Sequence, residues 1–245
     1  MRRDHGIRMT ELSPDEALEM EPLLRPGLAR ALHFPDFGQT TNPGALVRAI
    51  AEDAAWDGAR LVSTRIQKLV PVPAGRGIGL LSDHGEEVFS TVVVAAGIWS
   101  NRLLEPPGAA VQRESLRGYH ATLELSPMPG QLIYLIAEKI MATPMGDRLR
   151  VVGVVEVAGT RKPPEFSNID RLTGAARRIF RNFGEARSVW IGHRPATPDP
   201  VPVICRAPRS SRPGAGPRPW AVEACAAPRA PSTSARTCWQ GGRSV

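Results

Sequence analysis

Long hydrophobic runs are missing from this chain. The most extended apolar stretch, Thr91 to Trp99, is roughly half of the ~20 residues that a membrane-spanning helix requires, so no transmembrane segment is expected. The charged opening Met1-Arg2-Arg3-Asp4-His5 is not followed by an apolar segment of the ~7–15 residues typical of a secretory signal, and a cytoplasmic location is the expectation. Cysteine is scarce: Cys205, Cys225 and Cys238 are the three in 245 residues. They have neither CxxC spacing nor a histidine among them, which argues against a zinc site and a disulfide framework, and no metal is expected. The signatures of several enzyme classes are absent too, for there is no GxSxG, no HExxH and no P-loop.

What is present suits a folded protein. Apolar residues at 42% and charged residues at 22% allow a packed core, and the length suits one large domain or two small ones. The net charge of +7 is unevenly spread. The last 41 residues hold seven Arg and a single acid, Glu223, a net +6, which leaves +1 for residues 1–204. A basic balance of this kind points to nucleic acid only when it forms a patch with a binding motif. Here it belongs to a Pro/Arg/Ala/Ser/Gly tail without aromatic interleaving, so nucleic acid is not an expected partner.

Local patterns place the elements. Ser13-Pro14-Asp15-Glu16 predicts a helix start, with Ser13 as N-cap and Glu16 completing a capping box. Asn42-Pro43 predicts a second helix, in which Leu46, Val47, Ile50, Ala51 and Ala54 recur at helical spacing. A strand near Arg60 to Val70 precedes a hairpin, Gly77 to Ser82 returning as Glu86 to Ser90. Val92 to Ala96 reads as a strand buried on both faces, as in a parallel sheet covered by helices. Beyond residue 110 the pattern becomes an antiparallel meander, Gly118 to Leu125, Lys139 to Pro144 and Leu149 to Val157. A basic amphipathic helix follows over Ser167 to Phe183, then a strand over Ser188 to Gly192. The fold class expected is α+β, an α/β layer joined to an antiparallel sheet.

Two stretches carry a family resemblance. Val93-Val94-Ala95-Ala96-Gly97-Ile98-Trp99-Ser100 is similar to the VxAAGxWS strand of flavoproteins. Gly192-His193-Arg194-Pro195, with Thr197-Pro198-Asp199 and Val201-Pro202-Val203-Ile204, resembles the GxRPxTPDxxPVIG segment of the D-amino-acid oxidase superfamily, nearest its bacterial D-amino-acid dehydrogenases. The resemblance spans roughly residues 10 to 205. It implies FAD as cofactor and a D-amino acid as substrate, oxidised by hydride transfer to the flavin, with a possible electron acceptor at the membrane. It implies a substrate domain over residues 1–41 and 110–199 and a remnant of the FAD-binding domain over 42–109. Arg194 becomes the carboxylate clamp, since a guanidinium holds both carboxylate oxygens through parallel charge-assisted bonds; the alternative is an ion pair with Asp199. Tyr119, after Gly118, either orients the substrate or packs at a sheet edge. Ala95, Ala96, Gly97, Val203 and Ile204 become cofactor contacts. His120 and His193 are given no base role, because hydride transfer needs orientation and a neutral amine more than a dedicated base.

Departures from the family pattern set further expectations. A GxGxxG βαβ unit, whose helix N-terminus would receive the FAD pyrophosphate, is not found. Gly75-Arg76-Gly77-Ile78-Gly79 falls at a hairpin instead. The chain therefore reads as N-terminally truncated and is expected to lack stoichiometric flavin. Cys205 stands where the family has Gly, and the segment 200–245 reads as an aberrant, disordered tail, consistent with a translation out of frame. Three readings compete: a D-amino-acid dehydrogenase-like enzyme, a truncated remnant that does not retain FAD, and a basic-tail binding module.

Overall fold

The computed structural model describes residues 6–72, 77–105, 110–199, 203–206, 220–224 and 236–238. In chain order the elements are β1 (Thr10–Leu12), α1 (Pro14–Met20), β2 (Ala31–His33), α2 (Pro43–Trp56), β3 (Ile66–Pro71), β4 (Ile78–Ser82), β5 (Gly85–Phe89) and β6 (Val92–Val94). After a 3-10 turn at Gly97–Trp99 come α3 (Ser100–Leu104), β7 (Glu114–Leu125), β8 (Ile133–Leu135), β9 (Ile140–Met145), β10 (Arg148–Val157), α4 (Ser167–Ile179) and β11 (Phe183–Ala196). The last elements are β12 (Val203–Arg206), β13 (Trp220–Ala224) and β14 (Arg236–Cys238). Helices and antiparallel sheets together make the fold α+β, as expected.

The chain divides into two units, Met1–Arg60 with Gly118–Glu156 and Pro163–Gly192, and Leu61–Arg117 with Val157–Lys162 and His193–Val245. These bounds differ from the sequence expectation. Helix α2 belongs to the first unit, while 110–117 and 193–199 belong to the second. Two of the boundaries fall inside the long strands β7 and β11, at Arg117/Gly118 and Gly192/His193, where the strand pattern runs on without a break.

In the first unit α1 starts as the sequence predicts. The Glu16 amide donates to Ser13 Oγ at 3.3 Å and the Ser13 amide donates to the Glu16 carboxylate at 2.7 Å, so two otherwise unpaired donors are satisfied reciprocally. Helix α2 is capped by Asn42, whose Oδ1 accepts from the Ala45 amide at 2.9 Å. Its apolar stripe, however, faces solvent: no α2 residue is buried, and Val47 is 66% exposed. The core of this unit is built by the sheet and α4, and α2 contributes nothing to it.

That sheet has the order β11-β7-β10-β9-β8. Alternation along β7 turns Tyr119, Ala121, Leu123 and Leu125 to one face, where they join Ile140, Ala142, Leu149 and Val151 and the Ile169, Leu172, Ala175 and Ala176 side of α4. The other face carries His120, Thr122, Thr143 and Arg150, all half-buried. Helix α4 ends at Ile179, earlier than its amphipathic pattern suggests. Phe180 turns extended (φ −97°, ψ 145°) and Asn182 adopts φ 53°, so Phe183 opens β11 instead of closing the helix.

In the second unit β3, β4 and β5 form an antiparallel sheet, and a four-stranded sheet has the order β14-β12-β13-β6. Strand β6 lies parallel to β13, with Val92 opposite Trp220 and Val94 opposite Val222. The expectation of a strand buried on both faces holds for one face only. Val92 and Val94 are buried with Leu69, Ile78 and Leu104, whereas Val93 is 61% exposed. Beyond Arg206 the expected disordered tail differs from what is described, because Trp220–Ala224 and Arg236–Cys238 are strands paired with β12 and β6. Trp220-Ala221-Val222 supplies the short apolar segment that a parallel neighbour of β6 accepts. Val203–Arg206 is a strand as well, and the remainder of that expectation, 200–202, 207–219, 225–235 and 239–245, lies outside the described residues. Among the described residues no helix is long and apolar enough to cross a membrane.

Candidate functional site

At the end of β6 the chain leaves the sheet through Ala95-Ala96 and enters a tight turn. Gly97 sits at φ 57°, a left-handed conformation that a β-carbon disfavours, which is why a glycine follows the valine run. Three side chains then fasten the turn. Ser100 Oγ donates to the Gly97 carbonyl at 2.9 Å, and Arg113 donates to the same carbonyl at 2.8 Å and to Asn101 Oδ1. Asn101 in turn bridges the Val111 backbone, donating to its carbonyl at 2.9 Å and accepting from its amide at 3.1 Å. Burial draws the basicity of Arg113 down, although two of its donors are used.

The turn also meets the second motif. The rings of Trp99 and His193 stand edge to face at 5.8 Å, and His193 Nδ1 shares a 2.7 Å hydrogen bond with Ser115 Oγ. Ser115 is 1% exposed, so this bond is made away from solvent, where it persists. His193 is thus anchored from two sides, and the residue after it, Arg194, is exposed. Among the described residues its guanidinium has no ion-pair partner. Pro195 limits the backbone beyond it.

Beside this turn lies a cavity of about 890 Å³, within the range of ligand pockets. Val92, Val94, Leu69 and Leu80 provide apolar lining, Ala95, Ala96 and Trp99 come from the turn, and Arg65, Arg102, Thr64 and Gln67 provide polar lining. Of the remaining cofactor candidates, Val203 is half-buried and Ile204 is exposed, both on β12. That strand belongs to the same sheet as β6, with β13 between them.

The chain matches the DAO family model, described as FAD dependent oxidoreductase, over residues 1–225. It belongs to this family. The match runs past Cys205, where the motif resemblance stops. A D-amino-acid oxidase of Bradyrhizobium diazoefficiens is 31% identical over 219 residues, covering 86% of this chain and 51% of the relative. A D-amino acid dehydrogenase of Paramagnetospirillum magneticum is 30% identical over 209 residues, covering 82% and 49%. The chain spans about half the length of the curated relatives it matches. Among solved structures, glycine oxidase from Geobacillus kaustophilus superposes with a TM-score of 0.78 at 26% identity, covering 91% of this chain and 59% of that one.

Of the two residues assigned to the substrate, Tyr119 and Arg194 fall in different units. Tyr119 is 2% exposed within the first unit's core. Its phenol donates to the Glu156 carboxylate and accepts from the Glu165 amide at 3.0 Å. Both phenol bonds are therefore used inside the unit. The residues that sequence reasoning missed are Ser115, Asn101 and Arg113. Each is a polar residue whose importance comes from what it fastens, and only Asn101, directly after the AAGxWS stretch, sits close enough to a motif to be noticed.

His120 stacks on Trp190, with ring centroids 5.1 Å apart and 17° between planes. Burial, and then the charge of Arg150, push its imidazole down to about 4. A histidine whose folded value lies below its unfolded value of about 6.5 leaves the folded state fully stabilised above about pH 6.5. Between there and pH 4 the unfolded chain takes up the proton and stability falls. With half of the group open to solvent, the loss is on the order of 1 kcal/mol. Urea titrations at pH 7 and pH 4.5 on the wild type and on His120→Gln check this: the variant should show the smaller pH dependence.

Proposed function

We propose that this chain takes part in the FAD-dependent oxidation of a D-amino acid, with Arg194 holding the substrate carboxylate and the turn after β6 bordering the flavin. The observation that carries the reading is the meeting of the two motifs in the second unit: Trp99 touches His193, and Arg194 follows with an exposed guanidinium. When bound, FAD supplies the two-electron acceptor that takes hydride from the substrate Cα, leaving an imino acid that water hydrolyses to keto acid and ammonia. The described residues fit part of that group. The 890 Å³ cavity offers an apolar floor, Arg65 and Arg102 for phosphate oxygens, and Ala95 and Ala96 without bulk at its rim; Gly97, in the turn that follows, is assigned to the cofactor side with them. Val203 and Ile204 extend the same sheet and are assigned to the cofactor side. Arg194 aligns the carboxylate through two parallel bonds, and a substrate so held has its Cα–H restricted to few orientations.

For Tyr119 the proposed role is positioning. Its hydroxyl ties β10 to the segment before α4, so Tyr119→Phe should leave the Glu165 amide unpaired and lower stability by about 1–3 kcal/mol, with kcat/KM nearly unchanged. A lost kcat/KM at unchanged stability would make it a substrate contact instead.

The experiment that tests the function supplies the purified chain with excess FAD and an artificial electron acceptor, then follows acceptor reduction with paired D- and L-amino acids. Reduction with D-amino acids and not with L-amino acids is expected. No reduction, or a preference for the L-series, would overturn the proposal.

A further inference from the structure

A second cavity, of about 250 Å³, lies wholly within the first unit, where α4 meets β9 and β10. None of its lining residues serves the flavin reading. Ile140, Val154, Leu172 and Ala175 give it an apolar floor, and Gly174 leaves it open on the helix side. A glycine inside a helix costs stability relative to alanine, and nothing in the packing requires this one. Its backbone is ordinary helix, and a β-carbon placed there would meet only Arg178 Nη1, at the ordinary contact distance of 3.9 Å. The residue therefore keeps free a space that any side chain would enter.

Charges of both signs stand at the rim. Asp170, Gly174 and Arg178 follow one another at i, i+4 and i+8, on one face of α4. Helical side chains lean toward the N-terminus, which brings the Arg178 guanidinium back to Gly174. Asp170 lies one turn beyond, ~6 Å along the axis, and among the described residues neither it nor Arg178 has an ion-pair partner. Half-buried Glu138 and exposed Arg171 add a second group of each sign, likewise unpaired among the described residues. An acid and a base thus face the same gap without closing it.

We propose that this cavity binds a dipeptide with free ends, Asp170 holding its ammonium, Arg178 its carboxylate, and the apolar floor its side chain. A rim with both signs above an apolar floor selects a ligand that carries both, each end fixed by a charge-assisted bond. A volume of about 250 Å³, below the ~300 Å³ where drug-sized pockets begin, demands a small one. A single amino acid carries both charges on one carbon and does not span the ~6 Å gap, whereas a second residue adds about 3.5 Å of reach. This inference is independent of the flavin reading, and its test needs neither FAD nor turnover.

The probe is the dipeptide alanyl-leucine, titrated into the full chain and followed by NMR of the isoleucine methyl groups, with Ile140→Val assigning the Ile140 signal. Free leucine, N-acetyl-alanyl-leucine and alanyl-leucine amide are the comparisons at equal ionic strength. Alanyl-leucine should shift the Ile140 methyl saturably, and each comparison should bind at least about fivefold more weakly through loss of one charge-assisted contact or of reach. Arg178→Gln should abolish the preference for the free carboxylate over the amide, and Asp170→Asn the preference for the free amine over its acetyl derivative. Both positions are exposed, so both variants should fold. Gly174→Ala separates the site from the fold: its thermal midpoint should equal or exceed that of the wild type, as helix propensity dictates, while alanyl-leucine binds at least about threefold more weakly. An Ile140 methyl unmoved by alanyl-leucine, equal binding of the capped derivatives, or full affinity in Gly174→Ala would overturn the site.

Discussion

Replacing Arg194 with alanine should lower kcat/KM for D-amino acids by about two orders of magnitude, roughly 3 kcal/mol, in the FAD-supplied protein. The size follows from what the side chain does. A carboxylate brought out of water needs a charged partner, and alanine leaves it none, so the binding and the orientation that depends on it are lost together. Arg194→Lys separates charge from geometry: the ammonium keeps the attraction and loses the fork, and about a tenfold loss is expected. The surrounding structure makes the variants interpretable. Arg194 is exposed, and among the described residues its guanidinium has no ion pair, so its removal leaves no buried charge behind. The anchors of this segment, Trp99 and Ser115 on His193, are untouched. Steady-state kinetics with several D-amino acids decides it, and unchanged kcat/KM in the alanine variant would remove Arg194 from the site.

Much of this arrangement is legible in the amino-acid sequence, and the reasons differ by element. The caps at Ser13 and Asn42 are local, set by residues three apart, and both form as expected. The meander is legible because alternation along β7, β9 and β10 is strict where one face is buried. Family membership rests on two short motifs, whose specificity lies in spacing and not in composition. What the residues do not tell is longer in range. The stripe on α2 announces an apolar face but not whether anything covers it, and Leu46, Val47 and Ile50 stand open. The valine run of β6 has the composition of a strand buried on both sides, yet only the alternate positions Val92 and Val94 are covered. The end of α4 reads too late because Phe183 continues the helical spacing, while the left-handed Asn182 that breaks it carries only a weak signal. Ser115 is invisible: a small polar residue in a strand says nothing of the histidine 78 positions away to which it bonds. The strands at Trp220–Ala224 and Arg236–Cys238 are hidden by the prolines and arginines around them, which dominate composition over that stretch.

Phe180→Ala should lower stability by about 3–5 kcal/mol, more than the loss expected for Tyr119→Phe. The ring is fully buried, 0% exposed, in the cluster formed by β7, β9, β10 and α4. How much such a change costs depends on whether the surroundings can collapse into the space, and here the backbone is held on both sides. The Phe180 amide donates to the Ala176 carbonyl at 2.9 Å, its carbonyl accepts from Arg25 Nε at 3.0 Å, and the Arg181 amide donates to the Leu23 carbonyl at 2.8 Å. The bridge between Leu24 and Phe180 therefore fixes the position from which the ring projects, and the cavity stays open. With typical domains stable by only ~5–15 kcal/mol, the loss consumes a large share of the margin. Phe37 is the internal comparison: it is 59% exposed and only stacks on Phe34 with centroids 5.0 Å apart, so Phe37→Ala should cost about 1 kcal/mol or less. Urea unfolding followed by far-UV circular dichroism measures both. A much lower midpoint with unchanged slope is expected for Phe180→Ala, and equal midpoints for the two variants would show that the buried ring is not what holds this core.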